Sequence, residues 1–281
     1  WKVLPHALTP DEARRPDFPD LHEGRTGNQL TQGFVESGDP EAALAGAFVS
    51  VSGEIETSYV EHAYIEPEAG FAAMEGDTLV IKACTQAPYM DRDDTARVLG
   101  LPPEKVRIVP LAAGGGFGSK LDISLQPLVG LVTLKTGRPA AMVYTRGDSM
   151  RSTTKRHPAA MRASIGADAA GRVTGMVFEG DFNTGAYASW GPTVANRVPV
   201  HASGPYRTPN YRATGRAIHT NGPVSGAFRG FGVPRRKPIA PMRATGGCGA
   251  ASALRPAGMA AGTRLCRTPR RSASVSRRPV R

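Results

Sequence analysis

The alternation of apolar and polar positions along the chain predicts a series of strands from residue 47 onward. Val49, Val51 and Ile55 alternate with polar residues, as in a half-buried strand. Apolar segments bounded by turn residues predict seven further strands at residues 64–73, 78–83, 105–111, 139–145, 159–165, 172–182 and 211–219. The predicted fold class is therefore α+β, with mixed sheets against which helices pack.

Two segments between these strands have a helical pattern. Residues 91–99 have acidic side chains in their first turn and a glycine stop signal at Gly100. In the second segment, apolar residues recur at helical spacing between residues 121 and 132, and Gly137 marks its end. The first 45 residues are turn-rich, with the end of a strand expected at residues 1–5 and a short helical turn at residues 39–47.

The charge of the chain is concentrated at one end. The 281 residues include 35 Lys or Arg and 24 Asp or Glu, yet twelve of the basic residues and none of the acidic ones lie in residues 233–281. That segment also lacks aromatic residues and apolar periodicity, so residues 235–281 are expected to be a disordered Arg-rich tail. The remaining net charge near zero argues against a nucleic-acid-binding surface on the body of the protein.

Composition excludes several further classes of protein. No apolar run is long enough for a transmembrane helix, and no export signal is recognisable at residues 1–20. Three cysteines cannot form a disulfide scaffold, a four-thiolate zinc site or an iron–sulfur cluster by themselves. We therefore expect a reducing, cytoplasmic location, with no partnership with membrane or nucleic acid.

The most distinctive local pattern is a glycine-rich segment, GGGFGSK at residues 114–120, between a predicted strand and a predicted helix. Consecutive glycines let the backbone approach a ligand closely, and the start of the following helix favours an anion. The spacing matches neither G-x-x-x-x-G-K-[ST] nor G-x-G-x-x-G. From these residues alone, a ligand-binding loop and a simple turn remain equally open.

Two other segments combine site-like residues. Gln86 lies where a predicted strand ends, so its amide is either a ligand-binding group or a loop cap. Residues 227–232, AFRGFG, place an arginine between two aromatic residues, as in an anion or ring site or in an ordinary apolar loop. His62 and His157 have no metal-ligand spacing and are interpreted as structural or surface residues.

Taken together, these segments resemble the molybdopterin-binding subunit of the molybdenum hydroxylases, the family of xanthine dehydrogenase and aldehyde oxidase. The resemblance covers residues 1–234, with the segments in family order and at family-like spacing. The matching stretches are VEHAYIEPEAG (60–70), TQAPYMDRDDTARVLGLPPEKVRIV (85–109), GGGFGSKLD (114–122), TTKRHPA (153–159), YRTPNYRATGRAIHTN (206–221) and AFRGFGVP (227–234).

The resemblance implies a domain organisation and a set of site residues. Residues 1–45 would be the end of a preceding domain and a linker, and residues 46–234 the first molybdopterin-binding domain. The implied cofactor-binding residues are Gln86, Gly115, Gly116, Phe117, Gly118, Phe228, Arg229 and Gly230, of which Gln86, Phe117 and Arg229 would lie beside the molybdenum. The implied substrate-contacting residues are Leu121, Arg197 and Phe231.

Three departures from the family pattern refine this expectation. Leu121 stands where purine-oxidising members have a glutamate, so a different heterocycle or an aldehyde becomes a plausible substrate. Gly230 stands where carbon monoxide dehydrogenases have a cysteine, which argues against that chemistry. The family's general-base glutamate belongs to a second half with no counterpart after Pro234, so no catalytic residue is assigned; a shifted reading frame would explain the change.

The resemblance also implies an activity, cofactors and partners. The activity is oxidation of a purine-like aromatic heterocycle or an aldehyde, a small-molecule substrate, with water as the oxygen source. The cofactor would be molybdopterin cytosine dinucleotide, with iron–sulfur and FAD centres on partner subunits. The alternatives are a truncated, inactive product with at most a partner-binding role and, less favoured, an RNA-associated protein. We further expect Gln86, Phe117 and Arg229 to converge in space, and the chain alone to be inactive.

Overall fold

The computed structural model describes residues 1–232 and the backbone of 273–277. This part of the chain is organised by a six-stranded β-sheet, a four-stranded β-sheet and six helices. The helices are α1 (Pro10–Ala13), α2 (Pro40–Ala45), α3 (Pro88–Leu99), α4 (Gln126–Thr136), α5 (Arg146–Ser152) and α6 (Gly191–His201). The strands are β1 (Gln29–Ser37), β2 (Val49–Thr57), β3 (Ala69–Glu75), β4 (Thr78–Ala83), β5 (Val106–Pro110), β6 (Ala140–Val143), β7 (Lys155–Arg156), β8 (Ala159–Ala167), β9 (Val173–Gly185), β10 (Asn210–His219), β11 (Ser225–Gly226) and β12 (Ala273–Arg277). Short 3₁₀ turns occur at Thr26–Asn28, Pro103–Lys105 and Ser119–Leu121.

Both sheets mix parallel and antiparallel pairing. The large sheet has the order β1-β10-β9-β8-β2-β12, and within it β10 runs parallel to β9. The small sheet has the order β5-β4-β3-β6, and within it β5 runs parallel to β4. A third, two-stranded pairing joins β7 and β11 in parallel. The predicted α+β class with mixed sheets and packed helices is confirmed.

The core of the large sheet forms where alternate residues of its central strands point to one face. Met161, Phe178, Phe182 and Tyr211 are buried there together, and Val198 of α6 packs against them. Burial of each such side chain contributes about 1.5–3 kcal/mol. The sheet thereby holds α6 in a fixed position.

Glycines on the large sheet let α6 approach the strands closely. A Cβ added at Gly33 of β1 would lie 2.8 Å from the Asn196 Cα, and one at Gly215 of β10 would lie 2.7 Å from the Ala195 oxygen. Both distances are shorter than a carbon contact allows. The position of α6, which includes Arg197, therefore depends on the absence of side chains at these two places.

The small sheet packs one face against α4. Leu79 and Ile81 of β4 are fully buried against Leu125 and Val129. At Gly130 of α4 an added Cβ would be only 3.1 Å from the Leu79 side chain, so the helix lies close to the sheet. This packing fixes the ends of β4 and β5, where the candidate site residues begin.

The strands predicted around residues 49–55, 78–83, 105–111, 139–145, 159–165, 172–182 and 211–219 are all present. Other expectations were wrong. Residues 1–5 form no strand, and Trp1 is fully exposed. The strand expected at 64–73 begins only at Ala69, and the helix expected from residue 121 begins at Gln126, where Pro127 fits the first turn.

Of the described helices and strands with six or more residues, three were not predicted from the sequence. These are β1, α5 and α6. Pro199 near the end of α6 and the polar composition of α5 hide their helical pattern. Because β1 pairs with β10, the large sheet crosses the boundary expected at residue 45.

Most of the expected disordered tail, residues 235–281, lies outside the described residues. The exception is β12, which pairs antiparallel with the edge strand β2. There the alternating sequence ASVSR extends along the open edge of the large sheet, and the disorder of the tail stays a prediction.

Candidate functional site

The glycine-rich segment, hereafter the glycine loop (residues 114–120), follows β5 and ends in the turn Ser119–Leu121. Gly115 and Gly118 have positive φ angles of 98° and 111°, and Phe117 has a φ of 53°. Such angles are easy for glycine and costly for phenylalanine. At Gly118 a Cβ would lie 2.6 Å from the Ala227 oxygen, so only glycine allows the loop to meet that backbone. The loop is therefore a specific structure and not an unconstrained turn.

One carboxylate closes both ends of the glycine loop. Glu66 Oε2 accepts hydrogen bonds from the Gly114 N–H at 2.7 Å and from Lys120 Nζ at 2.9 Å. Although burial raises the pKa of Glu66, the bonds from Lys120 and Gly114 outweigh it and hold the pKa below its ordinary value. The Lys120 side chain is only 2% exposed, and its ammonium lies 4.8 Å from the centre of the Tyr64 ring. The loop is thus held by an ion pair with a buried lysine and a partly exposed glutamate.

The sequence alone identifies no partner for the carboxylates of Glu61, Glu66 and Glu68, which lie close together along the chain. In the structure each carboxylate has a different one. Glu61 Oε2 lies 2.7 Å from Lys155 Nζ, and Glu68 accepts a hydrogen bond from the Tyr64 hydroxyl. These three carboxylates therefore do not form a paired-carboxylate site. Glu66 is the one that binds the glycine loop directly.

Gln86 extends from the end of β4 to the glycine loop. Its Oε1 accepts a hydrogen bond from the Gly118 N–H at 3.0 Å, and its backbone N–H donates to the Lys120 oxygen at 2.8 Å. A Cβ at Gly116 would lie 2.5 Å from Gln86 Oε1. Because Oε1 is engaged by the loop, the Nε2 group is the free donor of this exposed side chain.

Arg229 contacts the same loop, although it follows the loop in the sequence and Gln86 precedes it. Its backbone N–H donates to the Phe117 oxygen at 2.8 Å, and its guanidinium carbon lies 6.0 Å from the centre of the Phe117 ring. The predicted convergence of Gln86, Phe117 and Arg229 is confirmed. All three residues are exposed at one place, although 31 and 112 residues separate them in order along the chain.

His62 supports the segment that contains Arg229. Its Nε2 lies 2.7 Å from the Ala227 oxygen, and its ring packs 4.6 Å from the Phe228 ring. Burial lowers the pKa of His62, even though the Ala227 carbonyl and Glu61 favour the charged form. A neutral ring with its proton on Nε2 fits these contacts, since a carbonyl can only accept. This agrees with the structural interpretation of His62, and His157 is also buried.

Two of the three expected substrate residues, Arg197 and Phe231, form a second surface together with Trp190. These three residues are hereafter called the aromatic wall. The Arg197 guanidinium carbon lies 4.4 Å from the centre of the Phe231 ring, and the Trp190 ring lies 6.1 Å from it. A Cβ at Gly232 would be 2.7 Å from the Arg197 Cβ, so this segment lies directly on α6. Sequence reasoning missed Trp190, because its helix was not predicted. Leu121 is half-buried in the turn that ends the glycine loop.

Two buried carboxyl groups lie beneath these surfaces. Asp91 of α3 accepts a hydrogen bond from Gln126 Nε2 at 2.9 Å, and burial raises its pKa to about 6. Asp122 follows the glycine loop and accepts a hydrogen bond from the Ser189 hydroxyl at 2.7 Å; burial raises its pKa to about 6 as well. Perturbed carboxyl groups of this kind concentrate near functional sites.

The arrangement suits a large ligand with several polar atoms. Bare glycine backbone at Gly116 and Gly118 packs directly on Gln86 and on the Ala227 carbonyl, at two places where a Cβ would clash. An amide donor at Gln86 and a guanidinium at Arg229 lie exposed beside this backbone, and an aromatic wall extends from residue 231. Glycine backbone with a few polar donors is typical of phosphate-bearing cofactor sites.

Comparison with known proteins agrees with this interpretation. The family model described as a molybdopterin cofactor-binding domain matches residues 21–238. The chain therefore belongs to the molybdopterin cofactor-binding domain family, and the expected resemblance is confirmed. No group of three His, Cys, Asp or Glu suited to a metal occurs within residues 1–232.

Individual relatives fall in the same family. The chain is 39% identical to the nicotinate dehydrogenase large molybdopterin subunit of Eubacterium barkeri, over 84% of this chain and 55% of that protein. It is 40% identical to a probable xanthine dehydrogenase subunit of Bacillus subtilis, over 83% of this chain and 31% of that protein. The chain thus spans about half and about a third of these relatives.

A solved structure supports the fold directly. The aldehyde oxidoreductase of Desulfovibrio gigas superimposes with a TM-score of 0.78 at 29% identity, covering 83% of this chain and 26% of that protein. As for membranes, the described residues contain no helix with the length and apolar character needed to cross a bilayer.

Proposed function

We propose that this chain provides part of the molybdopterin-binding catalytic subunit of a molybdenum-dependent hydroxylase. The observation that supports this most is the convergence of Gln86, the glycine loop and Arg229 on one exposed surface in a member of the molybdopterin cofactor-binding family. The substrate would be an aromatic heterocycle or an aldehyde, with water as the oxygen source.

The residues present fit the cofactor. Its polar atoms would lie on the backbone of residues 115–118 and 228–230, where the glycines carry no side chain that could block a close approach. The Gln86 Nε2 group would donate a hydrogen bond next to the metal, and the Phe117 and Arg229 backbone would lie beside it. When bound, the molybdenum cofactor supplies the two-electron redox centre of the reaction.

On the substrate side, the aromatic wall would orient a flat ring. Phe231 offers an apolar face, and the exposed Arg197 guanidinium suits an anionic substituent or negative charge that develops during the reaction. Leu121 supplies no charged group at the place where purine-oxidising members have a carboxylate. We therefore propose a substrate other than a purine, for which the nicotinate dehydrogenase relative offers a specific candidate.

The finer identity of the cofactors and partners is also part of this proposal. We infer molybdopterin cytosine dinucleotide as the form of the cofactor, with iron–sulfur and FAD centres on partner subunits. Cys84 is a buried cysteine of the small sheet, so it is poorly placed to bind a cluster. The relatives from Eubacterium and Bacillus are themselves named as subunits, which supports partner chains.

Molybdenum content tests the proposal. The 281-residue chain would be expressed in a host that makes the cofactor, and metal bound per folded chain would be measured after gel filtration. Gly118→Ala should abolish binding, because its Cβ would lie 2.6 Å from the Ala227 oxygen. Gly76→Ala is the matched control, with a similarly positive φ but no atom within 4 Å. A folded wild-type chain that retains no molybdenum would favour the non-catalytic alternative.

Activity is the second readout. The chain, produced together with candidate partner subunits, would be assayed with xanthine, nicotinate and aromatic aldehydes and an artificial electron acceptor. Because no residue of this chain is assigned as the general base, we expect it to oxidise none of these compounds; in a full-length subunit that contains residues 1–232, nicotinate or an aldehyde should be oxidised in preference to xanthine. Preferential oxidation of xanthine would contradict the role given to Leu121.

A further inference from the structure

Asp122 joins the end of the glycine loop to segments far away in the sequence. It directly follows the turn Ser119–Leu121, and its backbone is extended, with φ −101° and ψ 146°. Its side chain points away from the loop toward Ser189 and Gly226, which lie 67 and 104 residues further along the chain. Asp122 thus follows the glycine loop in the chain, and its carboxyl group lies against two other segments of the site, at Ser189 and at Gly226.

The first of these contacts fixes the start of α6. The Ser189 hydroxyl donates to Asp122 Oδ1 at 2.7 Å. Ser189 has a φ of 40°, a left-handed conformation that a non-glycine residue adopts only when its surroundings hold it there. The next residue is Trp190, the N-cap of α6 and a member of the aromatic wall. The orientation of Trp190 therefore depends on the bond to Asp122.

The second contact fixes the approach to residues 227–232. A Cβ at Gly226 would lie 2.6 Å from Asp122 Oδ2 and 2.8 Å from the Thr154 hydroxyl oxygen. Both of these oxygen atoms are buried. Asp122 therefore explains why residue 226 is a glycine, and its carboxyl packs on the backbone that leads to Arg229 and Phe231.

The environment of Asp122 disfavours its charged form, which is unusual for a residue that serves packing alone. Burial raises its pKa, with a smaller contribution from Asp94, while the hydroxyl groups of Ser189 and Thr154 lower it. Asp122 forms no ion pair with another described residue. A buried carboxyl without a cation reduces stability, so a neutral side chain would serve packing alone at least as well.

We propose that Asp122 is a positioning residue that couples the glycine loop to the aromatic wall through Ser189 and Gly226. In this role Asp122 would contact neither the cofactor nor the substrate. It would set the distance between the glycine loop, which would bind the cofactor, and the aromatic wall, which would bind the substrate. The inference deepens the proposed function and rests on it for the substrate role of the wall. The structural coupling itself can be tested without cofactor.

Trp190 provides a direct readout of this coupling. The chain contains two tryptophans, and Trp1 is fully exposed, so the variant Trp1→Phe leaves Trp190 as the single emitter. In that background, Asp122→Ala and Ser189→Ala should each shift the Trp190 emission to longer wavelength and increase its quenching by acrylamide. Asp122→Asn keeps an acceptor for Ser189 and should restore the original emission.

A matched control separates this effect from the general loss of a hydroxyl contact. The Ser52 hydroxyl lies 2.7 Å from that of Ser164 within the large sheet, far from Trp190 along the strand order. Ser52→Ala should leave the emission unchanged. Unaltered emission in both Asp122→Ala and Ser189→Ala would overturn the proposal, as would an Asp122→Asn emission equal to that of Asp122→Ala. If Asp122→Ala fails to fold, Ser189→Ala decides the question.

The enzyme assay adds a second, independent test. In a full-length subunit that contains residues 1–232 and is active, Ser189→Ala should raise KM about tenfold with molybdenum content and kcat nearly unchanged, since a small misplacement of substrate contacts is costly. An equal fall in kcat with constant KM would contradict a role through the wall. If the chain binds no molybdenum at all, the proposed function fails while the emission result still decides the coupling.

Discussion

The glycine loop and the aromatic wall are held in place by different forces. Around the loop, the Glu66–Lys120 ion pair and the backbone bonds from Gly118 and Arg229 form a dense network with little exposure. The wall consists of ring contacts and an exposed guanidinium on α6. Charge-assisted hydrogen bonds in a poorly hydrated place fix geometry tightly, whereas exposed ring and cation contacts are weak. The comparison teaches that the glycine loop is rigid and the aromatic wall is adaptable.

The largest expected effect comes from breaking the ion pair on the rigid side. Glu66→Ala would leave the Lys120 ammonium, whose side chain is 2% exposed, without its partner. Because the Glu66 side chain is 33% exposed and Lys120 keeps its bond to the Glu66 backbone oxygen, the loss should be somewhat below that of a fully buried pair, about 2–4 kcal/mol of unfolding free energy. Urea unfolding followed by circular dichroism measures this difference.

A surface pair provides the control for that experiment. Glu54 lies 2.6 Å from Arg162, and both side chains are more than half exposed. Glu54→Ala should cost about 0–1 kcal/mol, as exposed pairs usually do. Equal losses for Glu66→Ala and Glu54→Ala would show that the loop is not held by its ion pair.

An intermediate effect is expected from Asp91, which lies beneath the loop side. Burial raises the pKa of Asp91 to about 6, above its ordinary value of 3.8, so the folded state binds the proton more tightly. Its stabilising contribution is complete below pH 3.8 and is lost as the pH rises through 6. Asp91→Asn should therefore be neutral at pH 3.5 and stabilise by about 2 kcal/mol at pH 7.5.

The sign of that change can be checked against a surface carboxylate. Backbone and side-chain hydrogen bonds from Arg172 hold the pKa of Asp168 below its ordinary value. Asp168→Asn should therefore reduce stability at neutral pH and have no effect in acid, the opposite of Asp91→Asn. A pH profile of thermal unfolding for both variants gives the comparison. Parallel profiles would refute the burial argument for Asp91.

The smallest effect on stability is expected from the wall. Arg197→Ala removes an exposed guanidinium 4.4 Å from the centre of the Phe231 ring and should cost less than about 1 kcal/mol. Its effect on substrate binding should be larger, with a higher KM for an anionic ring. A stability loss as large as that of Glu66→Ala would erase the contrast between the two regions.

The parts of the fold that follow local rules could be predicted from sequence. Strands such as β4 and β9 and the helix α3 have clear periodicity and stop signals, so their patterns are sufficient. By contrast, α6 contains Pro199 and β1 has no strong alternation. Their structures depend on close packing at Gly33 and Gly215, which is a tertiary effect that a local pattern does not record.

The candidate site divides in the same way. Gln86, Phe117 and Arg229 could be found because they belong to motifs with recognisable order, and the structure brings them together. The partners of Glu66 and Asp122 could not be found, since each contact joins segments 48 to 104 residues apart. Which residue pairs with which across such distances is decided by the sheets and not by sequence spacing.

The parallel pairing of β9 with β10 has a consequence for how the molecule assembles. Parallel neighbours need a long crossover connection, and here that connection contains α6. β10 in turn pairs with β1, whose Gln29 meets Ile218 across most of the chain. Closing such long loops is slow, so the pairing of these distant strands should limit the rate at which the large sheet forms. We therefore expect Trp190 and Arg197 to reach their places later in folding than the small sheet, whose strands β3, β4 and β5 lie close together in the sequence.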